Sequence, residues 1–395
     1  MQMKKYKLGE LMEVTRGMSL GGEFYSTKGE LMRLTLGNFD YKNNCFKDDK
    51  SKNNLFFTGA VKPEFILKKD DIITPLTEQA IGLLGSTAKI PCSGKYIQSQ
   101  DAALIKCNEK LNPNFAFYLI SSKLVRNQLS AAAQQTKIRH TSPDKIKNCI
   151  VWIPEYSEQE KIGNFLSSID EKIALNNRIN EKLEQLAKRL YDYWFVQFDF
   201  PNSDGKPYKS SGGKMVYNAE LKREIPEGLG VCFSNQLCSI LTGKQDSNFS
   251  KPDGIYEFFT CSNETLYCDD FAFNGSSVLI AGNGDFNVKH FSGKFNAYQR
   301  TYVLIPDEKY YSVLYWSAFE KVNSFKKNSR GSIVKFISKS DVENISIYKG
   351  APEICYSILN QIMKKIEHIN YENKKLLRLK NKLMPLLING QVVVE

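Results

Sequence analysis

SEQEKIGNFLSSIDEKIALNNRINEKLEQLAKRLYDYWFVQFDFP, residues 157–201, decides the fold. Counted in sevens, it puts Ile162, Ile169, Asn176, Leu183 and Leu190 at one position, and Phe165, Lys172, Ile179, Leu186 and Tyr193 at a second. Apolar residues recurring in heptads predict a helix with a coiled-coil seam, and an Asn inside that seam predicts a fixed register. Ser157 and Glu160, just after Pro154, form a capping-box signature that predicts where the helix starts. A second stretch of this kind begins near Glu353, with Ile362, Ile369, Leu376 and Leu383 in sevens and Leu379 and Leu386 alongside. Pro385 is predicted to end or kink it. Neither helix has a sequence neighbour to cover its stripe, so each is expected to cover the other.

Outward from the helices, the chain repeats itself. Val14-Thr15-Arg16-Gly17 is matched by Ile240-Leu241-Thr242-Gly243, and Tyr96 to Ile105 by Phe295 to Ile305. Thr136 to Arg139, Ile146 and Asn148 find counterparts in Ser332 to Lys335, Val342 and Asn344. So long a period means two whole domains in tandem. Short apolar runs separated by Gly, Asn and Asp, with short helices near Phe115 and Tyr311, predict a mixed α/β content. The expected fold class is α+β, with a first domain at 1–155, a long helix at 156–200 and a Gly/Pro/Ser/Lys-rich connector at 201–230. A second domain follows at 231–351 and a closing helix at 352–395.

Lys and Arg number 54 against 43 Asp and Glu over 395 residues, a net charge of +11. That surplus suits a polyanion, though a basic enzyme is equally permitted. Nine scattered cysteines, an odd number without paired spacing, predict reduced thiols and a cytoplasmic protein. The first residues carry no apolar signal core, and no apolar run approaches the roughly 18–20 residues of a membrane span. No membrane partner is expected.

Catalytic signatures are missing. There is no GxxxxGK[ST] loop, no GxGxxG and no Asp/Asn-Pro-Pro-aromatic tetrapeptide. His140, His290 and His368 are too separated for a histidine metal site, and Cys232, Cys238, Cys261 and Cys268 lack CxxC spacing, so no metal ligands are expected. Asp48-Asp49-Lys50 and Asp307-Glu308-Lys309 could serve a metal-dependent nuclease, but such triplets arise by chance in a basic protein.

What remains is polar and cationic chemistry on loops, at matching places in both repeats. The first set is Thr15, Arg16, Ser19, Asn38, Thr77, Gln79, Gln98, Ser99, Gln100, Gln134, Gln135, Thr136, Lys137 and Arg139. The second is Lys244, Gln245, Asn263, Asn283, Asn287, Lys289, Gln299, Arg300, Ser329, Arg330, Ser332 and Lys335. Asn and Gln can bond adenine bidentately, Arg can bond guanine, and Lys or Ser can hold phosphates. These residues are the candidates for DNA contact.

Ile153-Pro154-Glu155 followed by Glu158-Gln159-Glu160-Lys161-Ile162 resembles the helix start of type I restriction–modification specificity subunits. Leu190 to Pro201, the connector segments Gly205 to Gly213 and Ile225 to Gly228, and the ending Leu386 to Val392 resemble that family too, over nearly the whole chain. After Pro352-Glu353 the second half has Ile354-Cys355-Tyr356 in place of the Glu-Gln pair. The resemblance implies two target recognition domains, each reading half of a split, asymmetric double-stranded DNA target. It implies long helices packed antiparallel with pseudo-twofold symmetry, docking two methyltransferase subunits. On these helices Ile162, Ile169, Leu183, Tyr191, Tyr193, Trp194, Phe195, Ile369, Leu376 and Leu383 are the docking candidates. Restriction subunits could join the complex. No cofactor is expected on this chain: S-adenosylmethionine, ATP and Mg belong on the partners. The rival readings are a metal-dependent nuclease and a scaffold protein that binds no DNA.

Overall fold

The computed structural model describes residues 1–78, 82–133, 139–284, 286–328 and 336–395. The chain divides into two compact units, Met1–Ala174 with Lys374–Glu395, and Leu175–Asn373. Both division points fall inside the long helices, Tyr156–Tyr191 and Glu353–Ile388.

The first unit is built on a four-stranded antiparallel sheet in the order Ala88–Lys89, Ile72–Pro75, Ala102–Cys107, Met12–Arg16. Its central strands read as unbroken apolar runs because both faces are covered. Ile72, Ala103 and Ile105 join a core with Phe115, Leu119, Ile162 and Leu166, while Ile73, Ala102 and Leu104 join another with Leu34, Phe39 and Tyr96. Successive side chains point to opposite faces, so one run serves two cores. Lys4–Lys7 pairs antiparallel with Ile150–Ile153 and leads into the first long helix.

The second unit repeats this plan. Ile240–Thr242, Thr301–Leu304, Phe273–Ala281 and Val288–Ala297 are neighbours in the same spatial sequence, extended by Tyr256–Phe259 and Thr265–Cys268. Gly230–Phe233 pairs with Ser346–Lys349 as Lys4–Lys7 does with Ile150–Ile153. The correspondence reaches single backbone contacts. A Cβ on Gly17 would lie 2.3 Å from the Gln98 carbonyl oxygen, and one on Gly243 would lie 2.0 Å from that of Ala297. Glycine is required at both places by close approach.

Within each unit the long helices run antiparallel. In the second, Asn176 Nδ2 donates to Glu372 (2.7 Å) and Asn373 (2.8 Å), and Asn180 Nδ2 donates to Asn370 (2.8 Å). In the first, Lys380 pairs with Asp170 at 2.6 Å.

The inward stripe departs from the expected one. Ile162, Ile169 and Asn176 are buried as predicted, but the second inward position holds Leu166, Ile173, Asn180, Ala187 and Trp194, one residue later than counted. Ile179, Leu186 and Tyr193 face outward. Apolar residues occupy both registers, and the small or hydrogen-bonding residues Ala187 and Asn180 let the partner helix approach closely. Full burial of Ile162 and Leu166 contributes about 1.5–3 kcal/mol each.

Two boundary expectations also change. The helix starts at Tyr156, so Ser157 lies within its first turn and is not its cap. Pro385 sits inside the second helix, which continues to Ile388. It lies in the last turn, so the bond its missing amide removes disturbs only the end of the helix, and its carbonyl still accepts the Asn389 amide at 3.1 Å. The connector contains an antiparallel hairpin, Met215–Asn218 with Arg223–Pro226.

Candidate nucleic-acid interface

In the first unit three chain segments meet around the turn before Ala102–Cys107. Arg16 Nε donates to the Gln100 carbonyl at 2.8 Å, the Leu76 amide to Asp101 at 2.8 Å, and the Thr141 amide to Leu76 at 2.8 Å. His140 is paired with Thr77 across a short ladder, and its Nδ1 lies 3.3 Å from the Thr77 hydroxyl. Thr15, Arg16, Ser19 and Gln100 are exposed on this surface. Arg139 is half-buried, 3.4 Å from Glu78 and donating to Ser130 at 3.1 Å.

Two expected contacts are occupied elsewhere, and a third is buried. Buried Gln98 donates through Nε2 to the carbonyls of Thr15 (2.8 Å) and Ala102 (3.1 Å). Buried Asn38 accepts from the Thr35 amide and donates to the Lys47 carbonyl. Both amides serve the backbone and hold the frame, and neither is turned outward. Ser99 is buried as well. Beside Gln100 and Asp101 opens a cavity of about 310 Å³ lined by Arg33, Thr35, Lys47, Asp49 and Ser51. Burial there opposes ionisation of Asp49, yet hydrogen bonds from Ser51 and Thr35 outweigh it and hold the carboxyl below its ordinary range. Asp49 is thus committed to that loop, and Glu308 and Lys309 pair with Lys364 and Glu353. Neither acid–Lys triplet gathers a catalytic group.

The second unit builds the same frame from other side chains. The Gln299 amide donates to Gln245 (3.0 Å), the Gly282 amide to Arg300 (2.9 Å) and the Ile337 amide to Gly282 (2.9 Å). Asn283 is bridged to Phe336 where Thr77 meets His140 in the first unit. Lys244, Asn263, Gln299 and Arg300 are exposed, and Gln245 and Asn283 partly so. Asn287 donates to the Cys261 carbonyl at 2.8 Å. Lys289 donates to the carbonyls of Thr260 and Ser262, and burial lowers its ammonium to about 8. No residue-type rule marks Asp101, His140 or Phe336 for this surface; their alignment in the fold does. Gln79, Gln134, Gln135, Thr136, Lys137, Ser329, Arg330, Ser332 and Lys335 lie outside the described residues.

On the helices, most docking candidates turn inward. Ile162, Ile169 and Ile369 are buried, and Leu183, Leu376 and Leu383 are half-buried. Tyr191, Trp194 and Phe195 belong to the second unit's own core. Tyr191 stacks on Phe195 (5.7 Å) and bonds Ser317 (3.0 Å), and Phe195 packs on Tyr356 (5.6 Å). These rings close the unit and present no docking face. The outward apolar stripe is Leu175, Ile179, Leu186 and Tyr193.

The helix start has its own lock. Gln159, 1% exposed, accepts from the Asn112 amide (2.9 Å) and donates to the carbonyls of Pro154 (2.9 Å) and Lys110 (3.0 Å). The second half lacks this Gln. Asn360 does the same work there, accepting from the Ser312 amide and donating to the carbonyls of Glu308 and Lys309.

Two α/β units of matching strand order, closed by paired antiparallel long helices, define a duplicated α/β protein whose loop frames present polar surfaces. The family model for the type I restriction modification DNA specificity domain matches residues 2–185 and 226–378, and the chain belongs to that family. It is 34% identical over 167 residues to the Type I restriction enzyme EcoDI specificity subunit of Escherichia coli, covering 40% of this chain and 38% of that protein. That match thus spans well under half of the relative's length. Identity is 23% over 314 residues to the MjaIX specificity subunit of Methanocaldococcus jannaschii, covering 71% of this chain and 69% of that one. The fold is similar to the crystal structure of the type-I restriction-modification system S subunit from M. genitalium, with a TM-score of 0.62 at 15% identity over 98% of this chain and 96% of that one. Among the described residues, no helix is long and apolar enough to cross a membrane, and no group of His, Cys, Asp or Glu is placed to hold a metal ion.

Proposed function

We propose that the chain is the sequence-specific DNA-binding subunit of a type I restriction–modification complex, with residues 1–155 and 231–351 each reading one half of a bipartite, asymmetric target. The observation that carries this is the paired loop frame. The same backbone hydrogen bonds support Asp101 and His140 in one unit and Arg300 and Phe336 in the other. Equal scaffolds with unequal side chains suit two half-sites of different sequence, since base edges are told apart by donor, acceptor and methyl pattern. The net charge of +11 suits a phosphate backbone.

In this reading the chain has no catalytic role and carries no cofactor. S-adenosylmethionine resides on two methyltransferase subunits, ATP and Mg on restriction subunits where these join, and the complex works in the cytoplasm. The stripe Leu175, Ile179, Leu186 and Tyr193 is the docking face, because an exposed apolar row of that length needs cover. Methylation profiling of a host expressing the chain with its methyltransferase partner tests the proposal. A single gapped, asymmetric sequence should be modified. Modification without sequence preference would overturn it in favour of a scaffold, and metal-dependent cleavage by the purified chain would favour the nuclease.

A further inference from the structure

Phe336 stands out in the second unit's frame. It is 71% exposed, yet its backbone is held by a bridge and by the bonds of the residue that follows. It is bridged to Asn283, and the next residue, buried Ile337, donates its amide to Gly282 (2.9 Å) and accepts the Tyr302 hydroxyl (3.0 Å). A ring so placed is held out of the core and is not fraying from it. Its neighbours in the frame are Asn283 and, through the Gly282 amide, Arg300, with the exposed cation Lys244 at the end of a neighbouring strand. The ring is therefore an exposed apolar group on a frame whose other residues are of types that can bond base edges and phosphates. At the equivalent place in the first unit stands His140, a hydrogen-bonding ring.

We propose that Phe336 is a specificity-determining residue, packing on the C5-methyl group of a thymine in the major groove of double-stranded DNA. The proposal rests on this surface being the DNA interface. Thymine's methyl is the apolar feature of the major-groove edge, and an aromatic ring is among the side chains that contact it. Asn283 and Arg300 on the same frame are of types suited to hydrogen-bonding base edges, and the two exposed cations there, Lys244 and Arg300, favour a polyanion over an apolar protein partner. The ring thus separates thymine from cytosine, and the first unit, with His140, lacks that discrimination.

The test uses the chain assembled with its methyltransferase subunits, on the target first defined by methylation sequencing. Each thymine in the half read by 231–351 is replaced in turn by deoxyuridine, which removes the methyl alone. The wild-type complex should lose about fourfold in affinity at one position, what one buried methyl-sized group is worth. Phe336→Ala should bind the thymine and deoxyuridine duplexes equally, Phe336→Leu should keep part of the difference, and preferences in the other half should stay unchanged. Thermal stability of the variants should match wild type, because the ring is exposed. Indifference of the wild type to deoxyuridine at every position, or full sensitivity in Phe336→Ala, would overturn the proposal. So would an affinity loss in Phe336→Ala of equal size on both duplexes, which is the mark of a wedge between base steps. A wild-type complex without any sequence preference would instead overturn the DNA-binding reading itself.

Discussion

At the residue scale, the amides divide by burial. Gln98 has the chemistry to read adenine, but its Nε2 is spent on two carbonyls inside the frame. Gln98→Ala should therefore lower stability by roughly 1–2 kcal/mol, read as the urea midpoint, and leave base preference unchanged. Arg300 is the opposite case, an exposed guanidinium whose carbonyl, not its side chain, holds the frame. If it meets a phosphate, Arg300→Ala should reduce the slope of log affinity against log salt by about one, with similar losses on all sequences. Loss of discrimination at a single base pair would assign it to a base instead. Residue type was legible here; the direction of each side chain was not, because a loop residue's burial depends on segments far away in sequence.

At the element scale, the second long helix is tied to its sheet by a polar contact. Glu367 accepts from Tyr311 at 2.5 Å and lies 3.0 Å from His290 Nδ1, with Tyr315 against the imidazole and Glu184 nearby. Burial opposes ionisation of Glu367, but hydrogen bonds from His290 and Tyr311 outweigh it and lower its pKa. A carboxyl lowered in the folded state stabilises above its unfolded value, and that contribution is lost as pH falls through the folded one. Replacing His290 with Gln removes the Coulombic contribution of His290 to Glu367, so Glu367 should protonate at higher pH. Acid unfolding followed by circular dichroism should accordingly move its midpoint upward. In the first unit, Lys380 is 4% exposed beneath Tyr118 and faces Asp170. Asp170→Asn leaves that ammonium without a counter-charge and should cost about 3 kcal/mol in denaturant unfolding. Helix content and length were legible from the heptads. The inward stripe was not, because both registers carry apolar residues and the partner helix decides which one is covered.

At the scale of the whole molecule, duplication is the organising fact. Each unit carries its own sheet, its own strand pair leading into a long helix and its own lock on that helix, Gln159 or Asn360. If residues 1–155 read one half-site as proposed, replacing them with the corresponding domain of a relative should change one half of the methylated sequence and leave the other intact. The incoming domain must offer an amide where Asn112 meets Gln159, or the helix start loses its anchor. Methylation sequencing of the chimera reads the result directly, and a change in both halves would contradict independent reading.

The tandem repeat, the two long helices and the family are readable from the residues in order, because these rest on local periodicity, contiguous motifs and close-approach glycines such as Gly17 and Gly243. Tertiary structure alone decided which residues of each pattern face inward. The aromatic run Tyr191, Trp194, Phe195 reads equally well as a docking face or a core, and it became core because Trp316 and Tyr356, more than a hundred residues away, pack against it. Phe336 came to the surface for the converse reason: the bridge to Asn283 fixed its backbone while Ile337 took the place in the core. Burial is a property of pairs of distant segments, and a linear pattern names only one member of each pair.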